Sequence, residues 1–351
     1  MKLKEVARRI DELLPRPVTF MEVCGTHTVN IFRFGLRSLF PARLNLVSGP
    51  GCPVCVTPAE EIDFLIAVSK EPGVILATFG DMLRVPGSSG SLKEARAEGA
   101  EVALVYSPLD AVELAQKHPE KRVVFAAVGF ETTAPAVAVA VLEAYKLGLE
   151  NLFFAVSHRT MPAALEALLA SGEVRLDGLI LPGHVATITG AAYFRFVAER
   201  FGLPAVVTGF EPHQIMKGLY LLARQIAEGR AEVEIAYQEA VTWKGNAMGK
   251  QLLRKVFEPC DARWRGLGLL PGSGLKLREE YASFDARRAF SLELPPAKEP
   301  PGCRCGDILC GRAKPPDCPL FGRVCRPEDP RGPCMVSSEG TCAAWYAYAS
   351  A

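Results

Sequence analysis

Two hydrophobic periods alternate along the first 230 residues of the chain. Residues 3–14 place their leucine, valine and isoleucine side chains on one helical face, which predicts an amphipathic helix. Short apolar runs typical of buried strands then alternate with longer stretches of helical period. The predicted strands are 18–23, 44–47, 74–79, 101–106 and 122–128, and the predicted helices include 28–39, 57–70 (capped by Thr57), 109–117 and 213–227. This order predicts an α/β fold whose parallel sheets are covered on both faces.

Two parts of the chain read alike, which favours an internal repeat. Residues 46–80 and 179–210 both read as strand, Pro-Gly turn, helix, short loop and strand. The pieces that precede them, 20–28 and 153–161, also match. We therefore predict two similar βαβ-type domains, of the kind that a duplication produces.

These patterns suggest domain boundaries. The first α/β domain is predicted to span 20–148 and the second, repeat-like domain 149–229. The alternation stops after residue 229, so 230–351 is predicted to form a separate cysteine-rich domain. The N-terminal segment 1–19 is expected to pack on that third domain.

Composition excludes several classes of function. Of 351 residues, 49% are hydrophobic, and 40 Lys plus Arg against 39 Asp plus Glu give a net charge of +1. This balance gives no excess of positive charge that would attract nucleic acid or an anionic membrane surface. Residues 1–20 are charged throughout, which is unlike a signal peptide, and no run approaches the length of about 18 apolar residues that a spanning helix needs. We predict a soluble, cytoplasmic protein.

The cysteines change this picture most. Seven of the eleven lie in the last fifty residues, at positions 303, 305, 310, 318, 325, 334 and 342. That segment has almost no apolar periodicity and cannot bury enough hydrocarbon to fold alone. In a reducing compartment, many thiols indicate metal or redox chemistry more often than structural disulfides. A disulfide-stapled secreted tail is the alternative, which the absence of an export signal disfavours.

Four of these cysteines have a spacing that suits a metal group. Cys303, Cys318, Cys325 and Cys342 form C-x14-C-x6-C-x16-C. Four thiolates suit either a [4Fe-4S] cluster or zinc, and separations longer than the tight pairs of zinc ribbons favour iron–sulfur. The remaining thiols of this segment, if unligated beside a cluster, would suit a dithiol/disulfide couple.

The CGTHT motif at 24–28 directly follows a predicted strand. It should therefore lie at the carboxyl end of a parallel sheet, where open α/β sheets place their sites. Cys24 would be close to a helix N-terminus, which favours thiolate, and His27 could be a ligand or proton donor. The alternative is a structural buried cysteine beside a surface histidine.

GPGCPVC at 49–55 places Cys52 and Cys55 on a Gly-Pro turn. A Cys-x-x-Cys can form a redox-active disulfide or supply two metal ligands. No second Cys-x-x-Cys exists in the chain, so a structural four-thiolate zinc site built from two such pairs is poorly supported.

Three further strand ends carry polar residues. GFETT (129–133) contributes Glu131 and two threonines, PGHV (182–185) contributes His184, and SHRT contributes His158. Each is interpreted equally well as lining a site or as plain loop or cap structure. The glycine-rich nucleotide signatures are absent.

CGTHT, GPGCPVC, GFETT, PGHV and C-x14-C-x6-C-x16-C, in this order, resemble the hydrogenase maturation factor HypD family over essentially the whole chain. The resemblance implies a scaffold and redox protein that is not itself a hydrogenase. With a small HypC-type partner it would build the Fe(CN)2CO unit of [NiFe]-hydrogenases, and a HypE-type partner would donate cyanide.

The resemblance also assigns residues. Cys24 would hold the iron, and Cys52 and Cys55 would be the adjacent redox or iron-handling pair. The [4Fe-4S] cluster would be ligated by Cys303, Cys318, Cys325 and Cys342. Its environment is similar to that of ferredoxin:thioredoxin reductase, which makes Cys305 and Cys334 the candidates for a cluster-side disulfide. Cys260 and Cys310 receive no role.

The implied electron route runs from the cluster through Cys305/Cys334 and Cys52/Cys55 to the iron at Cys24. His27, Thr28, Glu131 and His184 are expected around the iron as supporting groups. Two other functions remain open on sequence grounds. One is a cluster-dependent thiol–disulfide oxidoreductase, and the other is a zinc-stabilised interaction scaffold without redox function.

Overall fold

The structure, a computed structural model, describes residues 2–349 and has the predicted α/β character with parallel sheets. Its strands are β1 (Val18–Glu22), β2 (Leu44–Ser48), β3 (Val74–Thr78), β4 (Glu101–Leu104), β5 (Arg122–Gly129), β6 (Leu152–His158), β7 (Gly178–Pro182), β8 (Ala205–Thr208), β9 (Val233–Ile235), β10 (Phe257–Trp264) and β11 (Gly268–Leu277).

The α-helices are α1 (Leu3–Leu13), α2 (Gly25–Arg33), α3 (Pro53–Val56), α4 (Ala59–Ser69), α5 (Leu92–Ala97), α6 (Pro108–Lys117), α7 (Ala134–Lys146), α8 (Met161–Ser171), α9 (Gly183–Thr189), α10 (Arg195–Phe201), α11 (Pro212–Ala227), α12 (Ala247–Val256), α13 (Ala286–Ala289), α14 (Cys305–Leu309), α15 (Pro333–Val336) and α16 (Thr341–Tyr348). Short 3-10 helices cover Leu36–Leu39, Gly80–Arg84, Ala191–Phe194, Glu279–Phe284 and Pro315–Asp317.

Sheet A is parallel and has the strand order β2-β1-β7-β8-β9. The chain leaves this sheet after β2 and returns to it only at β7. Strands β1 and β7 are adjacent in space, with Phe20 opposite Gly178 in the register. Strands β7 and β8 are buried at every position, and β7 in particular reads as the apolar run expected of a strand covered on both faces.

Sheet B is formed by the intervening segment and has the order β4-β3-β5-β6, again parallel. The antiparallel hairpin β10–β11 follows later in the chain and contains an irregularity between Cys260 and Ala262. Phe257 and Leu277, at the open end of this hairpin, belong to the same buried cluster as β5 and β6. The hairpin therefore extends the core of sheet B.

The predicted domain ranges do not coincide with the sheets. The boundary at 148/149 falls between β5 and β6, which are paired in one sheet. Strand β9 lies beyond residue 229, where the alternation is predicted to stop, yet it pairs with β8 in sheet A. The proposed repeat also differs between its copies: the first runs from β2 of sheet A into β3 of sheet B, whereas β7 and β8 are neighbours in sheet A.

Local predictions agree better with the structure, with two exceptions. Helix α1 forms as expected, but its buried Val6 and Ile10 belong to the cluster shared with α11 and sheet A, and not to the cysteine-rich region. Thr57 does not cap α4, because its hydroxyl donates to the carbonyl of Pro53 at the start of the preceding short helix α3. Helix α4 begins after Pro58.

The segment from Cys303 to Cys342, hereafter the thiol segment, contains only short helices in its described part. Its α14 and α15 pack against α3, and the adjoining α16 packs against α2. These contacts bring the end of the chain onto the carboxyl ends of sheet A. No helix within residues 2–349 is long and apolar enough to cross a bilayer.

Candidate functional site

A cavity of about 130 Å³ lies at the carboxyl ends of the sheet A strands, where parallel sheets place their sites. We call it the Cys24 cavity. Residues from several separate parts of the sequence line it, among them Cys24, Gly51, Pro53, Thr132, Thr133, His184 and Glu339. CGTHT, GPGCPVC, GFETT and PGHV therefore meet at one place, together with a carboxylate from the thiol segment.

The side chains of CGTHT fasten this loop to different elements. Cys24 is the N-cap residue of α2 and lines the cavity. The Thr28 hydroxyl donates to Oε1 of Glu22, and the Cys24 amide donates to Oε2 of the same carboxyl at 3.3 Å. The Thr26 hydroxyl donates to Glu339. The loop is thus held both by its own strand and by the thiol segment.

His27 is buried and lies at the end of β8, where its Nε2 is 2.8 Å from the Thr208 hydroxyl and 3.0 Å from the Gly209 carbonyl oxygen. Its ring stacks on Phe210, and the ring of His184 stacks on the same residue. Burial lowers the pKa of His27 to about 4, so the ring is neutral near pH 7. Of these two histidines, His184 lines the cavity and His27 supports it from behind.

Burial also dominates the electrostatics of Cys24. The thiol is 6% exposed, and burial, together with the nearby Glu339 carboxylate, raises the pKa of Cys24 to about 12. Burial raises the pKa of Glu22 to about 8 against its hydrogen bonds to Ser48 and Thr28. Cys24 is therefore a protonated thiol until a cation enters the cavity, because thiolate is the form that binds metal.

Close backbone packing explains the glycines beside Cys24. A Cβ on Gly51 would lie 2.2 Å from the Cys24 nitrogen, and a Cβ on Gly25 would lie 2.4 Å from the carbonyl oxygen of Glu339. Neither position has room for a side chain. GPG and CGT thus allow the two loops and the thiol segment to close around the cavity.

Cys52 and Cys55 are joined as a disulfide, and both are buried. Cys52 is the N-cap residue of α3, and the Cys55 amide donates to its Sγ at 3.1 Å. Its Sγ also lies 3.4 Å from the hydroxyl of Ser337, in the thiol segment. In this state the pair does not offer thiolate ligands.

The residues of GFETT have two different roles: the threonines line the cavity, and the glutamate holds a neighbouring helix. Thr132 and Thr133 line the cavity, whereas Oε1 of Glu131 accepts the Met161 amide at 2.8 Å, at the start of α8. Burial raises the pKa of Glu131 to about 7. His158 at the end of β6 is 1% exposed, and both ring nitrogens lack a hydrogen-bond partner in the described structure.

Five of the seven thiols of the thiol segment, Cys303, Cys305, Cys325, Cys334 and Cys342, lie close enough to influence one another. Their sulfur atoms act on one another: Cys305 and Cys342 hydrogen-bond to Cys334 and lower the pKa of Cys334, while that of Cys303 is raised by its hydrogen bond with Cys305. The Cys325 sulfur accepts the Arg331 amide at 3.3 Å, and Cys318 Sγ lies 3.9 Å from the Gly302 carbonyl oxygen.

Cys310 is separate, because its Sγ contacts the Gly266 carbonyl at 3.4 Å beside a different cavity of about 180 Å³. Cys260 lies in the β10–β11 hairpin. The structure thus keeps apart the two cysteines to which the resemblance assigns no role.

The donor set of the thiol segment fits a soft metal group. The backbone approaches the sulfur atoms closely: a Cβ on Gly332 would lie 2.7 Å from Cys305 Sγ and 2.9 Å from Cys303 Sγ. Thiolates surrounded by backbone N–H donors are characteristic of iron–sulfur sites. As the thiols are arranged, however, no three His, Cys, Asp or Glu side chains within residues 2–349 form a closed metal site.

Sequence reasoning missed three charged residues near these thiols. Glu22 and Glu339 flank Cys24, and the buried Arg265 donates to the Thr57 carbonyl. Burial lowers the pKa of Arg265, and the neighbouring thiols, Cys305 first among them, oppose that shift. An acid inside the otherwise apolar VTFMEV strand was a usable signal for Glu22. Nothing in the sequence distinguishes Glu339 from a surface acid.

Comparison with known proteins gives a consistent answer. Residues 1–349 match the HypD family described as "Hydrogenase formation hypA family". The chain is 49% identical over 340 residues to the hydrogenase maturation factor HypD of Azotobacter vinelandii, covering 95% of this chain and 90% of that protein. It is 46% identical to HypD of Rhizobium leguminosarum bv. viciae (98% and 92% covered) and 42% identical to HypD of Escherichia coli K12 (99% and 93% covered). The chain belongs to the HypD family of hydrogenase maturation factors.

Proposed function

We propose that this chain is the scaffold and redox protein on which the Fe(CN)2CO unit of [NiFe]-hydrogenases is assembled in the cytoplasm. Cys24 holds the iron, which is cargo rather than a resident cofactor. A HypC-type partner shares the iron, and a HypE-type partner supplies cyanide. The Cys52/Cys55 pair carries electrons to this site. One observation carries the proposal: Cys24, the Cys52/Cys55 pair and the thiol segment all lie at the carboxyl ends of sheet A.

The Cys24 cavity suits this role chemically. A thiolate is a soft ligand appropriate to iron that carries cyanide and carbon monoxide. The surface of the cavity is mainly apolar, which strengthens electrostatic contacts inside it. His184, Thr132 and Thr133 line it and can hydrogen-bond to a bound diatomic ligand, while Thr28, His27 and Glu131 fix the loops from outside.

The thiol segment would supply electrons. We propose that Cys303, Cys318, Cys325 and Cys342 hold a [4Fe-4S] cluster, which when bound supplies one-electron reducing equivalents. Cys305 and Cys334 are then the intermediate dithiol. They lie on α14 and α15, which both pack against α3, the helix of the Cys52–Cys55 disulfide.

A general thiol–disulfide oxidoreductase fits the molecule less well. Cys52 is 3% exposed and Cys55 is fully buried, so a protein disulfide could not reach this pair without an opening of the surrounding loops. A pair that is reached from inside the chain, by α14 and α15, suits an internal electron route. The scaffold function is therefore the one we adopt.

The test is infrared spectroscopy of the chain purified anaerobically with its HypC-type partner. We expect bands in the region of cyanide and carbon monoxide stretches from the wild-type complex and their loss in Cys24→Ala. Cys260→Ala, at a half-buried cysteine in the hairpin remote from the cavity, is the matched control and should retain the bands.

Three results would overturn the proposal. Bands that persist in Cys24→Ala would move the iron to another residue. Absence of bands in the wild type, with iron and sulfide bound in the thiol segment, would favour the oxidoreductase. A colourless wild-type protein with zinc in that segment would favour a purely structural scaffold.

A further inference from the structure

A chain of polar groups leads from the partly exposed Asp81 to the buried sulfur of Cys52. Oδ2 of Asp81 accepts the hydroxyl of Ser337 at 3.2 Å, and it accepts the amide and hydroxyl of Ser338 at 3.0 and 2.9 Å. The Ser337 oxygen is in turn 3.4 Å from Cys52 Sγ. Ser337 is 1% exposed and Cys52 is 3% exposed, so Asp81 is the point at which this chain meets solvent.

The two sulfurs of the disulfide differ in their surroundings. The Cys55 amide donates to Cys52 Sγ at 3.1 Å, and the Ser337 hydroxyl is the second polar group beside that atom. Within residues 2–349, no hydrogen-bond donor is directed at Cys55 Sγ. The Ser337 hydroxyl hydrogen is directed at Asp81 in the oxidised chain, so the Cys55 N–H is the donor that stabilises Cys52 Sγ as thiolate and makes Cys52 the better leaving group. Attack on Cys55 that expels Cys52 is therefore the favoured direction of reduction.

Reduction of this buried disulfide creates a need for protons. The thiolate of a dithiol attacks Cys55 Sγ, a new S–S bond forms, and the Cys52–Cys55 bond breaks with its electron pair on Cys52. The second thiol of the donor then resolves the mixed disulfide and releases Cys55. Overall the dithiol loses two electrons and two protons, and the pair gains them. A thiolate left at Cys52 would be a buried charge without a cation, which is costly.

We propose that Ser337 relays a proton to the Cys52 thiolate: its hydroxyl turns from Asp81 to the sulfur, and its oxygen takes a replacement proton that enters from solvent by way of the Asp81 carboxylate. Ser337 is then the proton donor, and Asp81 is a positioning residue that acts through it. This inference rests on the proposed redox role of the Cys52/Cys55 pair. The electron source is a dithiol, which inside the chain is Cys305 and Cys334.

The position of Asp81 supports this assignment. It lies in the 3-10 helix that follows β3 of sheet B, whereas Cys52 follows β2 of sheet A and Ser337 belongs to the thiol segment. Three parts of the fold thus contribute one group each. Asp81 is partly exposed and forms no ion pair within the described residues, so its carboxylate connects the Ser337 hydroxyl with solvent.

The experiment follows reduction of the Cys52–Cys55 disulfide in the purified, air-oxidised full chain. Dithiothreitol is the probe, samples are quenched by alkylation, and the peptide containing both cysteines is measured by mass spectrometry. We expect Ser337→Ala and Asp81→Asn to slow reduction at least about tenfold, below the usual range for loss of a general acid. They should also lose the solvent deuterium isotope effect of the wild type.

Two variants separate proton transfer from a structural role. Ser337→Thr retains the hydroxyl and should restore both the rate and the isotope effect. Ser338→Ala removes a hydrogen bond to the same Asp81 oxygen without changing the contact with Cys52, and it should behave as the wild type. Thermal unfolding curves establish that each variant is folded.

Several outcomes would overturn the inference. Unchanged rates and isotope effects in Ser337→Ala and Asp81→Asn would exclude this proton route. Equal slowing in Ser338→Ala would mean that Asp81 only stabilises the turn at Ser337 and Ser338 and takes no part in proton transfer. Free thiols at Cys52 and Cys55 in the oxidised chain would remove the redox pair altogether. That result would leave the infrared test of Cys24 untouched, so the two proposals fail separately.

Discussion

The Cys24 cavity and the thiol segment both present cysteines, but they hold them in opposite ways. Cys24 is a single thiol at the end of a buried strand, fixed by the backbone of β1 and α2 and surrounded by groups from both sheets. The thiol segment has five sulfur atoms close enough to influence one another, carried by short helices and loops. Packing of apolar side chains therefore fixes the position of Cys24, whereas the position of the thiol segment depends on the interactions of its sulfur atoms.

This difference indicates how each region should respond to damage. The apolar clusters that support Cys24 include strand residues such as Phe20, Met21 and Leu181, which are fully buried. Those contacts persist whether or not a metal is present. Besides its cysteines the thiol segment buries the apolar side chains of Ile308, Leu309, Met335 and Val336, so its order should depend strongly on what its thiols bind.

The largest expected effect is therefore loss of a proposed cluster ligand. In Cys325→Ala we expect the thiol segment to lose about 3–4 kcal/mol of local stability, towards the upper end of single-mutation effects, where loss of a metal site belongs. Its amides should then exchange with deuterium roughly 10²–10³ times faster. Strands β1, β7 and β8 should keep their protection, because sheet packing does not involve this cysteine.

Hydrogen–deuterium exchange with mass spectrometry measures both regions in one sample. Cys260→Ala serves as the control for a cysteine outside the segment, and it should leave exchange in both regions at the wild-type level. Equal acceleration across the strands and the thiol segment would show that the two regions unfold as one unit. The contrast between them would then be wrong.

The same contrast explains what could be predicted from the sequence. Strand ends follow from local apolar runs, so the sequence alone places Cys24, Cys52, Thr132 and His184 at the carboxyl edge of a parallel sheet. Cys24, Cys52 and His184 meet because β1, β2 and β7 end at the same edge of sheet A, whereas Thr132 follows β5 and joins them from sheet B. The family was also recognisable from these motifs, because they occur in a fixed order along the whole chain.

Long-range order was not accessible in this way. Strand β1 pairs with β7, more than a hundred residues later, and local periodicity carries no information about which sheet a strand will join. The domain ranges read along the chain therefore cut sheet B and left β9 out of sheet A. Glu339 and Ser337 belong to the site only because the thiol segment folds back onto it, so their role could not be inferred from spacing.

The buried carboxyl of Glu131 provides a second test of the difference between the two regions, because it lies in the region supported by the sheets and not in the thiol segment. Burial raises the pKa of Glu131 from 4.5 to about 7. Between these values the folded chain retains a proton that the unfolded chain releases, so stability is highest below pH 4.5, falls as pH rises towards 7, and is level above. The slope is at most about 1.4 kcal/mol per pH unit.

Glu131→Gln should remove this slope. We expect wild type to lose about 2–3 kcal/mol relative to the variant between pH 5 and pH 7.5, measured by urea unfolding at each pH. Glutamine can still accept the Met161 amide, so the variant should remain folded. Parallel pH curves for the two proteins would mean that Glu131 ionises in the folded state near its ordinary pKa.

The smallest effect is expected where the two regions touch. A Cβ on Gly25 would lie 2.4 Å from the Glu339 carbonyl oxygen and 2.5 Å from its Cβ, so Gly25→Ala forces the thiol segment away from the loop of Cys24. Overpacking of this kind costs about 1–2 kcal/mol. The sheet and the sulfur cluster should each survive, because the substitution disturbs only the contact between them.

The readout for Gly25→Ala is the alkylation rate of Cys24, followed by mass spectrometry, which should rise as the cavity opens. Exchange protection of β1 and of α14 should stay unchanged. Gly80→Ala is the matched control, since its Cβ would meet nothing within 4 Å and its backbone is not left-handed. If Gly25→Ala leaves Cys24 as unreactive as in wild type, the cavity is closed by the sheets alone. The thiol segment then contributes thiols to the site without enclosing it.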